Sequence, residues 1–306
     1  MRIAFIGQQA FGESVLNALT QRGHEVVAAF CPPEKPGRPH DPVKTAAHSL
    51  GIPLHQLPRL RDASAIEAFA SVRADLCVMA FVTDIVPVEI LLNPPMGTIQ
   101  YHPSLLPKHR GPSSINWPII KGETKTGFSI FWPDAGLDTG PILLQKEIEI
   151  SPDDTLGTVY FQKLFPMGVS AMVEAVEMVR DGNAPRIAQD ESQATYEGWV
   201  KEKESLIDWS QSLDTVHNLV RGCDPNPGAH SLFRGEPVHL FGVSREPGAG
   251  KDTGGKVAAI ADDGVRVWAG DGLLRVSRVR QGPGGKMNAA EWAAANGVMP
   301  GEQFGN

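Results

Sequence analysis

Cysteine is scarce in this chain, which has only three cysteines among 306 residues. Cys31, Cys77 and Cys223 lie far apart and form no CxxC pair, so a cysteine-based metal or redox site is not expected. Their odd number also argues against a disulfide framework and predicts a reducing, cytoplasmic location. The nine histidines show no HxxxH-type spacing, and no metal site is expected from them either.

Long apolar runs and a surplus of basic residues are missing as well. No stretch reaches the ~18 apolar residues of a membrane span, and the N-terminus MRIAFIGQ enters a strand pattern without the features of a signal peptide. The net charge is −7, and residues 201–306 hold nearly equal numbers of basic and acidic side chains. Because nucleic-acid binding needs a basic face, a nucleic-acid partner is not expected. Without a long apolar run, a membrane is not expected as a partner either.

The first loop lacks the complete glycine pattern of a dinucleotide site. It reads Gly7-Gln8-Gln9-Ala10-Phe11-Gly12, with glutamine at position 9 where GxGxxG requires glycine. The loop therefore predicts a tight strand-to-helix turn in an open sheet. A nicotinamide cofactor is not expected, and a nicotinamide-dependent dehydrogenase is a disfavoured alternative.

What the first 150 residues do contain is an alternation of short apolar runs with helical patterns. The predicted strands are 2–6, 26–31, 54–57, 76–81, 98–102, 126–132 and 142–150, and the predicted helices are 11–22, 41–50 and 64–72. Runs that are apolar on both faces and separated by helices indicate a parallel sheet covered on both sides. The fold class is therefore α/β, with an open, mostly parallel, Rossmann-like sheet.

The pattern changes in the second half of the chain. A helical region at 153–180 is divided by Pro166 and carries an apolar stripe over 169–179, which we expect to be core. Polar, Pro-containing residues 183–193 predict a linker. A helix at 213–221 precedes strands at 238–243, 255–260, 264–268 and 273–279, which predict a small, OB-like β-barrel. Two domains are expected, a catalytic domain over 1–200 and the barrel over 201–306.

The densest chemistry lies between residues 100 and 140. Gln100 and His102 are two apart near the carboxyl end of a predicted strand, so they share one face, at the edge where open α/β sheets bind ligands. An imidazole there can give or take a proton near neutral pH. Asp138 lies in a glycine-rich loop that lets a carboxylate approach a ligand closely. Taken singly, a structural hydrogen bond would explain His102 and an Asx turn would explain Asp138.

Several ordered motifs together resemble one known family. HPSLLPKHRG followed by GLDTG is similar to the folate-dependent formyltransferases, which include methionyl-tRNA formyltransferase and the hydrolase domain of 10-formyltetrahydrofolate dehydrogenase. IGQQAFG, QYHPSLLP, INW, GFSIFW, LLQKE, PDDT, ATYEG and HNLVRG occur in the same order as in the hydrolase domain, to which the resemblance is closest. The resemblance covers nearly the whole chain and implies a formyltransferase fold with a C-terminal barrel.

The resemblance also implies roles for individual residues. His102 and Asp138 correspond to the catalytic pair, and Gln100 occupies a position where the transferases have asparagine. A strictly structural alternative for Gln100 is that its amide only satisfies backbone groups. Pro141 departs from the aspartate that often follows DTG in relatives. The residues assigned to folate binding, mostly through backbone, are Met79, Ala80, Phe81, Val82, Ile85, Ser104, Leu105, Leu106, Pro107, Asp134, Ala135, Gly136 and Leu137.

The expected activity follows from the resemblance. The chain should use 10-formyltetrahydrofolate and hydrolyse it to tetrahydrofolate and formate, because position 100 is not asparagine. Transfer of the formyl group to a small amine is the next alternative, ahead of a carrier-protein thiol or methionyl-tRNA, and a non-catalytic folate-binding module is a third class. Arg110 is assigned either to the glutamate tail of folate or to the surface, and Ser113 to a helix cap or the ligand. The oligomeric state stays open.

Overall fold

The computed structural model describes residues 1–34, 36–37, 39–248 and 252–305. The strands are β1 (Arg2–Gly7), β2 (Glu25–Cys31), β3 (Leu54–Gln56), β4 (Leu76–Ala80), β5 (Thr98–His102), β6 (Lys125–Phe131), β7 (Ile142–Glu149), β8 (Ala229–Phe233), β9 (Glu236–Glu246), β10 (Val257–Ala261), β11 (Gly264–Ala269), β12 (Gly272–Gln281) and β13 (Met287–Asn288). The α-helices are α1 (Gln9–Gln21), α2 (Pro42–Ser49), α3 (Ala63–Ser71), α4 (Val88–Leu91), α5 (Asn116–Ile120), α6 (Leu156–Thr158), α7 (Phe165–Arg180), α8 (Leu213–Gly222) and α9 (Ala289–Ala295). Within these described ranges no helix is both long and apolar enough to cross a membrane.

Two compact units make up the chain. The first comprises Met1–Gly111, Gly127–Glu147 and Lys163–Tyr196, and the second comprises Pro112–Thr126, Ile148–Gln162 and Glu197–Asn306. The sequence predicted two continuous domains that meet at residue 200, whereas each of these units is made of three separate segments. The predicted domain boundary stays a prediction. The interleaved segments could not be read from the sequence, because composition does not change where the chain passes from one unit to the other.

A seven-stranded sheet organises the first unit, in the order β3-β2-β1-β4-β5-β6-β7. The first five strands in this order, β3, β2, β1, β4 and β5, are parallel, and β6 runs antiparallel to β5. Every residue of β4 is buried, as expected for a strand covered on both faces. The open, mostly parallel, Rossmann-like sheet predicted from the sequence is confirmed. The carboxyl end of β5 is His102, which pairs with Ser129 of β6.

Local signals in the sequence account for the helix boundaries. Asp41 caps α2 by accepting a hydrogen bond from Val43 N at 2.9 Å, and Pro42 follows in the first turn, as predicted. Pro166 likewise lies in the first turn of α7, a position that tolerates proline. The preceding residues Val159–Leu164 form a π-helix, which the apolar pattern did not predict. The predicted core stripe of α7 is buried at Met172, Val173, Val176 and Val179.

Residues 183–193 are not the linker that their composition predicted. Ile187 pairs with Ile142 of β7 through two backbone hydrogen bonds of 2.7 and 2.9 Å, and Glu191–Gln193 forms a 3₁₀ turn. Proline and polar side chains indicate that a segment is not helical. They do not exclude backbone pairing with a sheet edge, and that pairing holds this segment on the first unit.

The second unit contains a separate antiparallel sheet. Its strands follow the order β10-β11-β12-β9-β8, and β13 pairs with β12. The predicted C-terminal β-structure is therefore confirmed, whereas its closure into an OB-like barrel stays a prediction. Strand β8 was missed because its sequence AHSLF buries four of five residues and shows no apolar alternation.

Candidate functional site

His102 and Asp138 lie side by side in the first unit. His102 is the last residue of β5, and Asp138 comes from the loop between β6 and β7. The imidazole Nδ1 is 3.7 Å from the carboxylate Oδ2, and each side chain is 8% exposed. This separation is longer than a direct hydrogen bond. The two groups are thus close enough to contact the same reacting group of a bound substrate from neighbouring positions.

A backbone carbonyl fixes the proton arrangement of the imidazole. His102 Nε2 is 2.9 Å from the carbonyl oxygen of His109, and since a carbonyl only accepts, Nε2 carries a hydrogen. Nδ1 is therefore the ring nitrogen that faces Asp138. The structural hydrogen bond considered for this histidine exists, but it occupies one nitrogen and leaves the other for chemistry. His109 itself is buried in a left-handed conformation (φ 55°), and its N–H donates to Thr195 Oγ1 at 2.8 Å.

Asp138 is held in place by a long-range contact. Its Oδ2 accepts a hydrogen bond from Gly111 N at 2.8 Å, and its backbone is left-handed (φ 57°). The Asx turn proposed for Asp138 is wrong. Asp134 makes that turn instead, because its Oδ1 accepts from Gly136 N at 2.9 Å and from Thr139 Oγ1 at 2.6 Å. The Asp138 carboxylate is thus free of the local turn and directed toward His102.

Two further residues shape the Asp138 loop. A Cβ on Gly140 would lie 1.8 Å from the carbonyl oxygen of Trp132, so only glycine fits there. Pro141 follows it and accepts a hydrogen bond from Trp132 N at 2.9 Å through its carbonyl. The N–H that proline lacks has no role in this pairing, because the carbonyl makes the contact.

Gln100 lies two residues before His102 on the same face of β5. Its strand neighbours are Met79 of β4 and Phe131 of β6, and its side chain is partly exposed. Among the described residues the Gln100 amide has no hydrogen-bond partner. The alternative in which this amide serves only to satisfy backbone groups therefore has no contact to support it.

The predicted folate-binding residues in the segments 79–85 and 134–137 differ in exposure. Met79 and Ala80 are buried in the sheet, and Val82 is half-buried. The large apolar side chains that are exposed are Phe81 (43%), Ile85 (70%) and Leu137 (54%). Asp134, Ala135 and Gly136 are exposed too. Phe81 and Ile85 follow β4, the sheet neighbour of β5, and Leu137 precedes Asp138 in the chain. Exposed apolar side chains of this kind are typical of a ligand-binding surface.

The predicted SLLP segment, Ser104–Pro107, belongs to the turn that follows His102. Ser104 and Leu106 are buried, whereas Leu105 and Pro107 are half-buried. Ser104 Oγ donates to the carbonyl of Lys108 at 2.7 Å, and Ser129 Oγ donates to the carbonyl of Ser104 at 2.7 Å. These bonds hold the turn that brings the His109 carbonyl to the imidazole. A direct role of this segment in folate binding stays a prediction.

Arg110 does not lie at the surface as one of its two assignments expected, and its role at the glutamate tail of folate stays a prediction. Its buried guanidinium binds Glu191 through contacts of 2.6 and 2.9 Å and Gln189 Oε1 through contacts of 2.8 and 3.2 Å. The hydrogen bond from Arg110 lowers the pKa of Glu191 and raises that of Arg110. Gln189 Nε2 in turn donates to the carbonyls of Asp138 and Gly140. Sequence reasoning missed Gln189, because no local pattern connects it with residues about fifty positions earlier.

For Ser113 the structure tests the helix-cap alternative, and contact with the ligand stays a prediction. Ser113 does not cap α5, and its Oγ accepts from Val200 N at 3.1 Å. The cysteines are buried, and burial raises the pKa of Cys31 to about 11 and that of Cys223 to about 12, so both stay protonated thiols at neutral pH. No group of three metal-ligating side chains occurs in the part of the chain that the structure describes.

An apolar cavity lies at the carboxyl ends of the first four strands. It is partly open to solvent and is lined by Ile6, Gly7, Gln8, Phe30, Cys31, Pro32, His55, Leu57, Pro58, Leu60, Phe81, Val82, Thr83 and Asp84. Of the predicted folate-binding residues it contains Phe81 and Val82, and it includes none of residues 134–137. Residues 81–84, which belong to one of the two predicted folate-binding segments, therefore also border this cavity.

Comparisons with known proteins match both halves of the chain. A family model described as Formyl transferase matches residues 1–176, and one described as Formyl transferase, C-terminal domain, matches residues 200–297. The chain is 42% identical to human mitochondrial 10-formyltetrahydrofolate dehydrogenase over 94% of its own length and 32% of that protein's length. It thus spans about a third of this curated relative.

Two other similar proteins differ in coverage. Methionyl-tRNA formyltransferase from Syntrophus aciditrophicus is 34% identical, over 99% of this chain and 98% of that protein. The crystal structure of HypX from Aquifex aeolicus in complex with tetrahydrofolic acid has a TM-score of 0.70 at 23% identity, over 96% of this chain and 47% of that chain. At this identity the structural likeness concerns the fold.

Proposed function

The chain belongs to the formyl transferase family, and from this premise we propose that it takes 10-formyltetrahydrofolate and hydrolyses it to tetrahydrofolate and formate. The single observation that carries the proposal is the buried pair His102 and Asp138, with Nδ1 and Oδ2 3.7 Å apart at the carboxyl end of β5. An acid–base pair at that edge, beside exposed apolar side chains, suits an acyl-transfer reaction on a flat, partly apolar substrate.

The reaction needs a base, an acid and a donor for the developing oxyanion. Water attacks the formyl carbon, and Asp138 takes the proton that the water loses. The carbonyl oxygen becomes negative, and His102 stabilises it as an imidazolium: Nε2–H donates to the His109 carbonyl, and a second ring proton on Nδ1 donates to the oxyanion. When the bond from the formyl carbon to N10 breaks, Asp138 returns the proton to N10. Formic acid and tetrahydrofolate leave, the acid ionises to formate by giving its proton to the solvent, and both protein groups regain their starting states.

The choice of water as acceptor rests on Gln100. This residue stands where the transferases that the chain resembles have asparagine, and it is one methylene longer. Its amide shares the face of His102 and has no hydrogen-bond partner among the described residues. A displaced amide would leave the oxyanion charge mainly to His102 and would leave room for water near the formyl carbon.

Transfer to an amine is the second candidate. The observation in its favour is the 34% identity to a methionyl-tRNA formyltransferase across nearly its full length, including the C-terminal part. Hydrolysis and transfer share every step except the identity of the nucleophile, so the same pair of residues serves both. For a location we propose the cytoplasm, supported by three cysteines that are free and buried.

One experiment separates these possibilities. The purified chain is incubated with 10-formyltetrahydrofolate alone and then with small amines or charged methionyl-tRNA, and formate, tetrahydrofolate and formylated products are followed by mass spectrometry. Hydrolysis predicts stoichiometric formate without any added amine. Formation of a formylated product with little formate would replace hydrolysis by transfer. Binding of 5-formyltetrahydrofolate without turnover of 10-formyltetrahydrofolate would indicate a binding module.

A further inference from the structure

Gln189 lies at the centre of a hydrogen-bonded cluster behind the loop that carries Asp138. Its Nε2 donates to the carbonyl oxygens of Asp138 at 2.9 Å and of Gly140 at 2.7 Å. Its Oε1 accepts from Nε and Nη2 of Arg110 at 3.2 and 2.8 Å. These contacts determine the orientation of the amide, because a flipped amide would place Oε1 against two carbonyls and Nε2 against a guanidinium.

The backbone that Gln189 holds is not one that the loop would adopt by itself. Asp138 is left-handed, a conformation that disfavours L side chains. Gly140 is pressed against the carbonyl of Trp132 without room for a Cβ. The two carbonyls that Gln189 binds stand on either side of Thr139, so its amide clamps the turn at the point of strain.

We infer that Gln189 is the positioning residue of Asp138. By holding the two loop carbonyls, it keeps the carboxylate 3.7 Å from His102 Nδ1 and within 2.8 Å of Gly111 N. Arg110 acts one step behind, since its guanidinium fixes the direction of the Gln189 amide. The inference rests on the proposed function, because it takes Asp138 as the group that moves the proton.

Two substitutions of similar length remove the clamp in different ways. Gln189→Met removes the donors without adding charge, and Gln189→Glu keeps an acceptor for Arg110 but places a carboxylate oxygen against the two carbonyls. We expect kcat to fall by about 10- to 100-fold in both, the scale of a small displacement of a catalytic group. KM, the affinity for 5-formyltetrahydrofolate and the thermal unfolding midpoint should stay close to wild type.

The matched control is Gln193→Glu, the same chemical change in the same segment. Gln193 is exposed, and within the described part of the chain its amide reaches only Ser192 Oγ, at 3.5 Å. This variant should keep the wild-type kcat and KM. A loss of kcat in Gln189→Glu alone, with Gln189→Met unaffected, would show an effect of charge and overturn the positioning role.

A double-mutant cycle with Asp138→Asn tests whether Gln189 acts through Asp138. Asparagine keeps the size of the side chain and tolerates the left-handed backbone. If the effect passes through Asp138, adding Gln189→Met to Asp138→Asn lowers kcat little further. Equal losses in both backgrounds, or wild-type kcat in both Gln189 variants, overturn the inference. Wild-type kcat in Asp138→Asn itself contradicts the proposed function instead. If Gln189→Met fails to fold, Gln189→Glu carries the same cycle.

Discussion

Both compact units bury histidines, and the surroundings of His102 in the first unit and His217 in the second differ. In the first unit His102 has one nitrogen bonded to a carbonyl and the other facing a carboxylate. In the second unit His217 of α8 is 1% exposed, and its Nδ1 has no hydrogen-bond partner among the described residues. Burial and the nearby Arg245 and Arg221 lower the pKa of His217 to about 4.

This difference shows why burial by itself does not identify a catalytic histidine. A ring with a fixed tautomer and a carboxylate neighbour can pass a proton at neutral pH. A histidine ring that is buried beside two guanidinium groups stays neutral. Its protonation at low pH lowers the free energy of unfolding. The following predictions test this contrast, beginning with the largest effect.

The largest effect is expected when the first site is altered. His102→Ala and Asp138→Ala should each lower kcat by at least ~100-fold, the usual contribution of a positioned acid–base group. Affinity for 5-formyltetrahydrofolate should change little, since neither side chain is proposed to bind the pterin. His217→Leu, made as the matched control for a buried histidine, should keep the wild-type kcat at pH 7.5. The measurement is steady-state release of formate, and wild-type turnover in either alanine variant would refute the assignment.

The second prediction concerns stability in acid. The folded-state pKa of His217 is about 4, against 6.5 when it is unperturbed, so the unfolded chain binds the extra proton first as pH falls. Stability is therefore complete above about pH 6.5 and decreases toward pH 4, by roughly 3 kcal/mol at 1.36 kcal/mol per pKa unit.

Urea unfolding of wild type and His217→Leu at pH 7.5 and pH 5 measures this effect. The leucine variant removes the titrating ring, so its stability should depend less on pH than that of wild type. Asp153 and Asp214, which raise the pKa of His217, stay unchanged in both proteins. An identical pH dependence in the two proteins would show that His217 does not titrate in this range.

How far the sequence predicts the molecule depends on how local each signal is. The strand-and-helix alternation and the Asp41–Pro42 cap depend on near neighbours, and the structure confirms them. The Gln189 clamp joins backbone groups about fifty residues apart, and nothing in a polar stretch indicates that contact. The protonation geometry of His102 depends on a carbonyl seven residues away in a folded turn, which spacing alone does not show.

A third, smaller effect concerns the exposed apolar side chains beside His102 and Asp138. Ile85 is 70% exposed and Leu137 is 54% exposed, so replacing either by serine should leave the fold intact. If they cover the pterin, each change should weaken binding of 5-formyltetrahydrofolate about tenfold, since partial burial of such a side chain contributes at the lower end of ~1.5–3 kcal/mol and 1.4 kcal/mol is about tenfold. Leu92→Ser, at an equally exposed position outside the predicted segments, is the control. Calorimetric titration measures the affinities, and equal affinities in all three variants would place the pterin elsewhere, with the apolar cavity at Gly7 and Phe30 as the next site to test.

The smallest effect, and the sharpest for the choice of acceptor, is expected at Gln100. Gln100 lies on the same strand face as His102, and its amide has no hydrogen-bond partner among the described residues. Shortening this amide in Gln100→Asn should restore the donor position of the transferases, so that the formyl oxygen is shared between the amide and His102. The ratio of formylated amine to formate should then rise a few-fold, within the range of a single hydrogen bond worth ~0.5–1.5 kcal/mol. Both products are measured in one reaction mixture for wild type, Gln100→Asn and the exposed control Gln193→Asn. An unchanged ratio would show that position 100 does not influence the choice of acceptor. The selection between water and amine would then depend on the 81–85 and 134–137 loops, where substitutions should alter substrate affinity more than kcat.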